Sequence, residues 1–395
     1  MSDEFYRIKR LPPYVIAEVN AMRHEARRAG RDIIDLGMGN PDHPPPQHVI
    51  DKLCEVAAKP GAHGYSQSKG IPGLRKAQAN YYGRRFNVDL DPDREVVVTM
   101  GSKEGLSSMA TAITAPGDVI LAPSPSYPIH TFGFIIAGAT IRSVPTTPDE
   151  RYWRALENAM DYTVPRPTVL VVNYPSNPTA ETVDLAFYER LVAWAKENRV
   201  WVLSDLAYSE LYYDGKPTRS ILEVPGAKDV AVEFTSMSKT YSMAGWRMGF
   251  AVGNPTLISA LTRVKSYLDY GAFTPIQAAA CAALNGPQDV VEENRARYQS
   301  RRDVMVESFT RAGWPIPNPP ASMFTWAELP PGFEDMGSLE FSKQLLEHAG
   351  VAVAAGVGFG EEGEGFVRIA MVENEQRIRQ AARNVKRFLA EHARG

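Results

Sequence analysis

Apolar positions along the chain fall into two textures. In the first, short β-branched runs recur at 95–99, 119–122, 140–144, 169–173, 200–204, 230–234 and 248–252, separated by longer stretches of helical character. Several of these runs are apolar at every position, as strands covered on both faces must be, and 184–197 carries the amphipathic period of a covering helix. The alternation predicts an α/β fold with a mostly parallel sheet and crossover helices. In the second texture, long helical patterns at 256–284 and 290–312 lead out of the sheet. Strands at 326–329, 351–354 and 366–371, with helices at 338–349 and 376–390, then predict a smaller α+β unit. The first 45 residues are rich in Pro and Gly around Leu11-Pro12-Pro13 and 37–46, which reads as an arm lying over other parts of the protein. The expected division is an arm at 1–45 contributing to the small domain, a large domain at 46–285 and a small C-terminal domain at 286–395.

Composition narrows the function classes. A length of 395 residues suits two or three domains, each with a substantial core, at roughly 150 residues per domain. The 43 Lys+Arg against 46 Asp+Glu leave a net charge of −3, without the cationic surplus that a nucleic-acid partner requires. Cys54 and Cys281 stand far apart, so neither a disulfide framework nor a cysteine-based zinc site is supported, and a reduced, cytoplasmic home is expected. His43 and His48 flank three prolines, which precludes helical metal-ligand spacing, and no metal is expected. The N-terminal ten residues carry charges rather than a signal-peptide apolar segment, and no run approaches the roughly 20 apolar residues that span a bilayer; no membrane role is expected. Gly358-Phe359-Gly360-Glu361-Glu362-Gly363 spells a dinucleotide fingerprint, but another strand follows where that motif needs a helix, so an active-site loop fits better.

The most informative segment is Ser236-Met237-Ser238-Lys239-Thr240-Tyr241-Ser242-Met243-Ala244-Gly245-Trp246-Arg247-Met248-Gly249. It lies just beyond the strand pattern 230–234, where ligand sites gather in open α/β sheets. A lysine flanked by hydroxyls, with an arginine eight residues on, places an amine nucleophile beside an anion-binding cluster; a lone surface lysine would lack this setting. The string resembles the pyridoxal-phosphate attachment signature of class-I aminotransferases, which are fold-type I enzymes. The resemblance covers essentially the entire chain, because Gly37-Met38-Gly39-Asn40-Pro41, 65–73, Gly101-Ser102-Lys103, Pro125-Ser126-Tyr127-Pro128, Pro175-Ser176-Asn177-Pro178-Thr179, 205–208 and Arg368 all follow in the family's order.

The resemblance implies a role for each motif. Lys239 would hold pyridoxal 5′-phosphate through a Schiff base and then move the substrate's Cα proton. Asp205, at the end of an apolar strand, would keep the pyridine nitrogen protonated, and Asn177 and Tyr208 would partner the phenolic oxygen; Asn177 also reads as a turn residue before Pro178. Tyr127 would stack on the ring. Gly101, Ser102 and Lys103 open a helical run at 104–114, where backbone N–H groups and the helix dipole favour a phosphate; Ser236, Ser238 and Arg247 would complete that cup. Tyr65 resembles the tyrosine that reaches the phosphate from a partner subunit, which implies a homodimer with shared active sites. Arg368 would take the substrate α-carboxylate bidentately, with Gly39 closing over it and Tyr14 on the arm adapting the pocket to the side chain. His130, close behind Tyr127, reads either as a pocket residue or as a packed core histidine.

Several variants, among them His63-Gly64-Tyr65-Ser66, Ser266-Tyr267-Leu268-Asp269-Tyr270-Gly271 and Met371-Val372-Glu373-Asn374, look most like bacterial glutamate–pyruvate (alanine) aminotransferases, with LL-diaminopimelate aminotransferases as the neighbouring branch. The substrates expected are an amino acid and a 2-oxoacid exchanging an amino group by a ping-pong route. An aspartate aminotransferase, or a β-lyase or racemase on the same fold, would share the cofactor residues. A pyridoxal-phosphate-sensing transcription regulator would need a basic helix-turn-helix domain, for which the short Pro-rich segment before the family core gives no room.

Overall fold

In the computed structural model, which describes residues 5–12 and 15–392, the apolar runs of the first texture assemble into a seven-stranded sheet. A short strand β1 (Ile34–Asp35) precedes it in the chain. The sheet itself comprises β2 (Val96–Thr99), β3 (Val119–Ser124), β4 (Thr140–Pro145), β5 (Val169–Val172), β6 (Trp201–Asp205), β7 (Ala231–Ser236) and β8 (Gly249–Gly253), in the order β2-β8-β7-β6-β5-β3-β4. All pairings are parallel except those of β8, which runs antiparallel to both neighbours. Alternate residues serve opposite faces: Leu170 and Val172 enter one apolar cluster, Val169 and Val171 the other. Both faces are therefore covered, which explains the uninterrupted hydrophobicity of the central strands. Glu233 is the exception on β7, fully buried and held by Tyr82, Ser204, Ser220 and the Ile221 N–H; burial pushes its pKa up to about 7 against those four donors.

The second texture forms an antiparallel sheet, β11-β12-β9, from β9 (Phe324–Glu328), β11 (Ala354–Ala355) and β12 (Phe366–Ala370), while β10 (Val351–Ala352) pairs in parallel with β1. The expected strand at 351–354 is thus two short strands serving two different sheets. The long helical pattern at 256–284 breaks into helices Pro255–Leu268 and Thr274–Asn285, because Gly271 adopts φ +80° between them and Pro275 starts the second. Helix 338–349 is α-helical over Ser338–Gln344 and then loosens into a π turn over Leu345–Ala349.

The N-terminal segment is more ordered than a Pro/Gly-rich arm suggests. Helix Val15–Arg28 buries Val19 and Ala26 against Leu346 and Ala352. After β1, Leu36 bonds across to Ala352 and Ala370, so the chain enters the 37–39 turn directly beside the strand that carries Arg368. Among the described residues no helix is long and apolar enough to cross a membrane.

Candidate active site

Three neighbouring parallel strands, β5, β6 and β7, end at the same edge of the sheet, and the functional side chains stand where they end. A cavity of about 610 Å³ opens there, roofed by the 38–42 segment and by Phe324 of β9 and Arg368 of β12. Ser102, Lys103, Tyr127, Asn177, Asp205, Tyr208, Ser236, Ser238, Lys239, Arg247, Gly39 and Arg368 all line it. Twelve residues scattered over most of the chain thus converge on one volume. Gly101 lies immediately behind, where a Cβ would come within 2.4 Å of Arg247 Nη2. Tyr14 lies outside the described residues. Tyr65 does not reach this cavity: it is 90% exposed, its ring 4.7 Å from that of Tyr270.

Lys239 sits in the short helix Met237–Thr240, which β7 leads into through Ser236 as N-cap. Its Nζ donates to the Gly39 carbonyl. Burial, and next the positive charges of Arg368 and Arg247, pull its pKa down to about 7, so the amine is available as a neutral nucleophile near neutrality. Asp205 closes β6, almost wholly buried; Oδ2 meets His130 Nε2 at 2.9 Å and Oδ1 accepts the Ala207 N–H at 3.2 Å. His130 therefore belongs to the site as the group that orients this carboxylate. Tyr127 packs edge-on to His130, ring centroids 6.0 Å apart, and burial raises its pKa, with the Asp205 charge adding to the effect.

On the opposite wall, Arg368 Nη1 donates to Asn177 Oδ1 at 2.8 Å and Nη2 to the Gly37 carbonyl at 2.9 Å. Since the oxygen of Asn177 faces the guanidinium, its Nδ2 remains as a donor. The Arg368 guanidinium lies over the Phe324 ring at 4.0 Å and the Phe359 ring at 4.7 Å, which fixes its plane. Tyr208 meets the same Phe324 ring edge-on, and burial raises its phenolic pKa. The fingerprint-like loop at 358–363 contributes Phe359 here and forms 3-10 turns rather than a nucleotide cradle.

The third corner is a ring of donors. Gly101, at φ +84°, lets helix Ser102–Ile113 begin with its first N–H groups directed at the cavity, beside Ser236, Ser238 and Arg247. Arg247 adopts a left-handed φ of +55°, and its Nη1 bonds the Ala244 carbonyl at 2.9 Å. A helix N-terminus, hydroxyls and a guanidinium suit a phosphate; a low-pKa lysine suits an aldehyde; a buried carboxylate suits a ring nitrogen that keeps its proton. The donor set therefore fits pyridoxal phosphate on chemical grounds.

Sequence motifs did not single out Asn173, Phe324 or Arg23, whereas Phe359 lies on the 358–363 stretch read above as an active-site loop. Asn173 bonds the Asp205 and Pro175 carbonyls through Nδ2 and the Asn177 N–H through Oδ1, tying two site loops together. Phe324 and Phe359 clamp Arg368, and Arg23 reaches the cavity from the N-terminal helix. Helical spacing of Val19, Met22 and Ala26 could have located that helix; the other contacts are tertiary.

Residues 31–385 match the model of the family "Aminotransferase class I and II". The chain is 63% identical to AatC of Rhizobium meliloti over 98% of this chain and 96% of that protein. It is 52% identical to the glutamate-pyruvate aminotransferase AlaC of Escherichia coli, covering 97% and 93%, and 42% identical to the LL-diaminopimelate aminotransferase of Moorella thermoacetica, covering 98% of each. Family-wide sequence match and a cavity whose donors fit the family's cofactor agree: the chain belongs to the class I and II aminotransferases, fold-type I enzymes, and is a pyridoxal-phosphate-dependent transaminase.

Proposed function

We infer that the chain exchanges the amino group between L-alanine/pyruvate and L-glutamate/2-oxoglutarate in two half-reactions. The observation that carries this choice is the 52% identity to a glutamate-pyruvate aminotransferase along 97% of the chain, ten points above the identity to the LL-diaminopimelate enzyme. When bound, pyridoxal phosphate supplies a carbonyl that condenses with amines and a ring that withdraws electrons from Cα. Lys239 would hold it covalently, and its Nζ would move the substrate's proton. Asp205, steadied by His130, would keep the ring nitrogen protonated, and Asn177 and Tyr208 would donate to the phenolic oxygen. Tyr127 would pack on the ring, and Gly101, Ser102, Lys103, Ser236, Ser238 and Arg247 would hold the phosphate. Arg368 binds the substrate α-carboxylate, with Gly39 above it.

We read the active unit as a homodimer. Tyr65, on the loop before helix Pro72–Phe86, and Tyr267, Leu268, Tyr270 and Phe273, at the end of helix Pro255–Leu268 and in the turn after it, are all exposed large apolar side chains, an interface signature, and Tyr65 there would enter the partner's phosphate cup. Sedimentation should give twice the monomer mass, and Tyr65→Phe should weaken cofactor retention; a monomeric, fully active protein would dispose of this reading.

Substrate choice is tested by mixing the holoenzyme, without an acceptor, with L-alanine, L-glutamate, L-aspartate or LL-diaminopimelate and following the cofactor absorbance band. L-alanine and L-glutamate should convert it to the amine form fastest. A response led by LL-diaminopimelate or L-aspartate would reassign the substrate. Release of ammonia and pyruvate from a β-substituted amino acid without an acceptor would favour a lyase.

A further inference from the structure

Between the N-terminal helix and the catalytic centre runs a chain of polar contacts that the cofactor and substrate roles leave unused. Arg23, on helix Val15–Arg28, is buried and its Nη1 bonds Asp35 Oδ2. The other oxygen of Asp35 accepts the Gly37 N–H at 3.1 Å and the Met38 N–H at 3.4 Å. A carboxylate at the end of β1 thus caps the turn that follows, with one oxygen on the turn and the other on a cation. The carbonyls of that turn go to the two groups that matter most for an amino acid: Gly37 O takes Arg368 Nη2 at 2.9 Å, and Gly39 O takes Lys239 Nζ. Gly39 also approaches Phe324 so closely that a Cβ would fall 2.4 Å from Cζ, leaving the turn little room to move toward β9.

The arrangement has a physical purpose. The 37–39 turn has no ladder partners of its own, since β1 ends at Asp35, so its position is set by what its N–H groups and carbonyls find. A neutral turn would wander. Asp35 fixes the N–H side, and Arg23, brought in by a helix that packs its apolar face on Leu346 and Ala352, fixes Asp35. We propose that Arg23 and Asp35 are positioning residues that set the 37–39 turn over Arg368 and Lys239 and so preorganise the site for the amino-acid carboxylate. The proposal rests on the reading of Arg368 as the carboxylate receptor.

The test uses holoenzyme of Asp35→Ala, Asp35→Asn and Arg23→Met, with Arg368→Lys as reference, and measures KM and kcat for L-alanine together with the cofactor band. Loss of a charge-assisted brace should raise KM roughly tenfold in Asp35→Ala and Arg23→Met, with kcat within about threefold and the band unchanged. Asp35→Asn should lie between, because the amide oxygen still accepts from Gly37 but the ion pair is lost. If Asp35→Ala does not fold, the other two variants decide the matter. An unchanged KM in them, while Arg368→Lys raises it, overturns the brace; so does a loss of stability and kcat at constant KM, which a merely structural pair would give. An unchanged KM in Arg368→Lys overturns the carboxylate reading instead.

Discussion

Lys239→Ala should lower turnover by at least ~10²–10⁴-fold, the range of a positioned general acid–base, and should abolish the covalent cofactor link that borohydride traps in the wild type. The size follows from there being, among the described residues, no second amine placed to do the same work. Lys103 also lines the cavity, but its Nζ lies over the Tyr127 ring, 5.7 Å from the centroid, a cation–π position rather than a nucleophilic one. Burial of Lys239 first, and then the two guanidinium charges it faces, hold its pKa down to about 7 from 10.5. The sign is that of a depressed base: below about pH 7 the amine is a cation that cannot attack, and above it the neutral form dominates. Uptake of pyridoxal phosphate by apo-protein should therefore accelerate as pH rises through about 7 and level off beyond. Turnover assays and mass spectrometry after reduction check the substitution. Near-wild-type turnover in Lys239→Ala would refute the mechanism.

Much of this site could be read before folding was considered, because its chemistry is local in sequence. The 236–249 string places lysine, hydroxyls and arginine within one strand-to-strand connection, and Asp205 announces itself as an acid ending an apolar run. The direction of β8 was less legible. Its connection from β7 is filled by the lysine loop instead of a crossover helix, and only a crossover can return a strand in parallel. Other features are tertiary by nature. Nothing near His130 in sequence foretells a bond to Asp205, 75 positions away, and nothing at Phe324 or Phe359 foretells a clamp on Arg368. The N-terminal helix was hidden by composition: prolines and glycines flank it, and among its described side chains the buried stripe is Val19, Arg23 and Ala26.

Arg368→Lys should raise KM for L-alanine and L-glutamate by similar factors, on the order of 10–100-fold, with a smaller fall in kcat. The estimate comes from hydrogen bonds to charged groups, worth roughly 1.5–3 kcal/mol each, where about 1.4 kcal/mol is tenfold. A lysine keeps the charge but loses the planar fork: one ammonium cannot hold Asn177 Oδ1, the Gly37 carbonyl and a carboxylate in the geometry that five guanidinium donors allow. It also loses the stacking on Phe324 and Phe359 that keeps the fork flat. Equality between the two donors is the decisive feature. The α-carboxylate is common to every amino acid, so its receptor must affect both alike, whereas a receptor for the distal carboxylate of glutamate would leave alanine untouched. Steady-state KM values for the two donors, taken with the same acceptor, separate these cases. A rise confined to glutamate would move Arg368 from the common end of the substrate to its side chain, and the α-carboxylate would then have to be sought at another cation of the cavity wall, with Arg23 and Arg27 the nearest in kind.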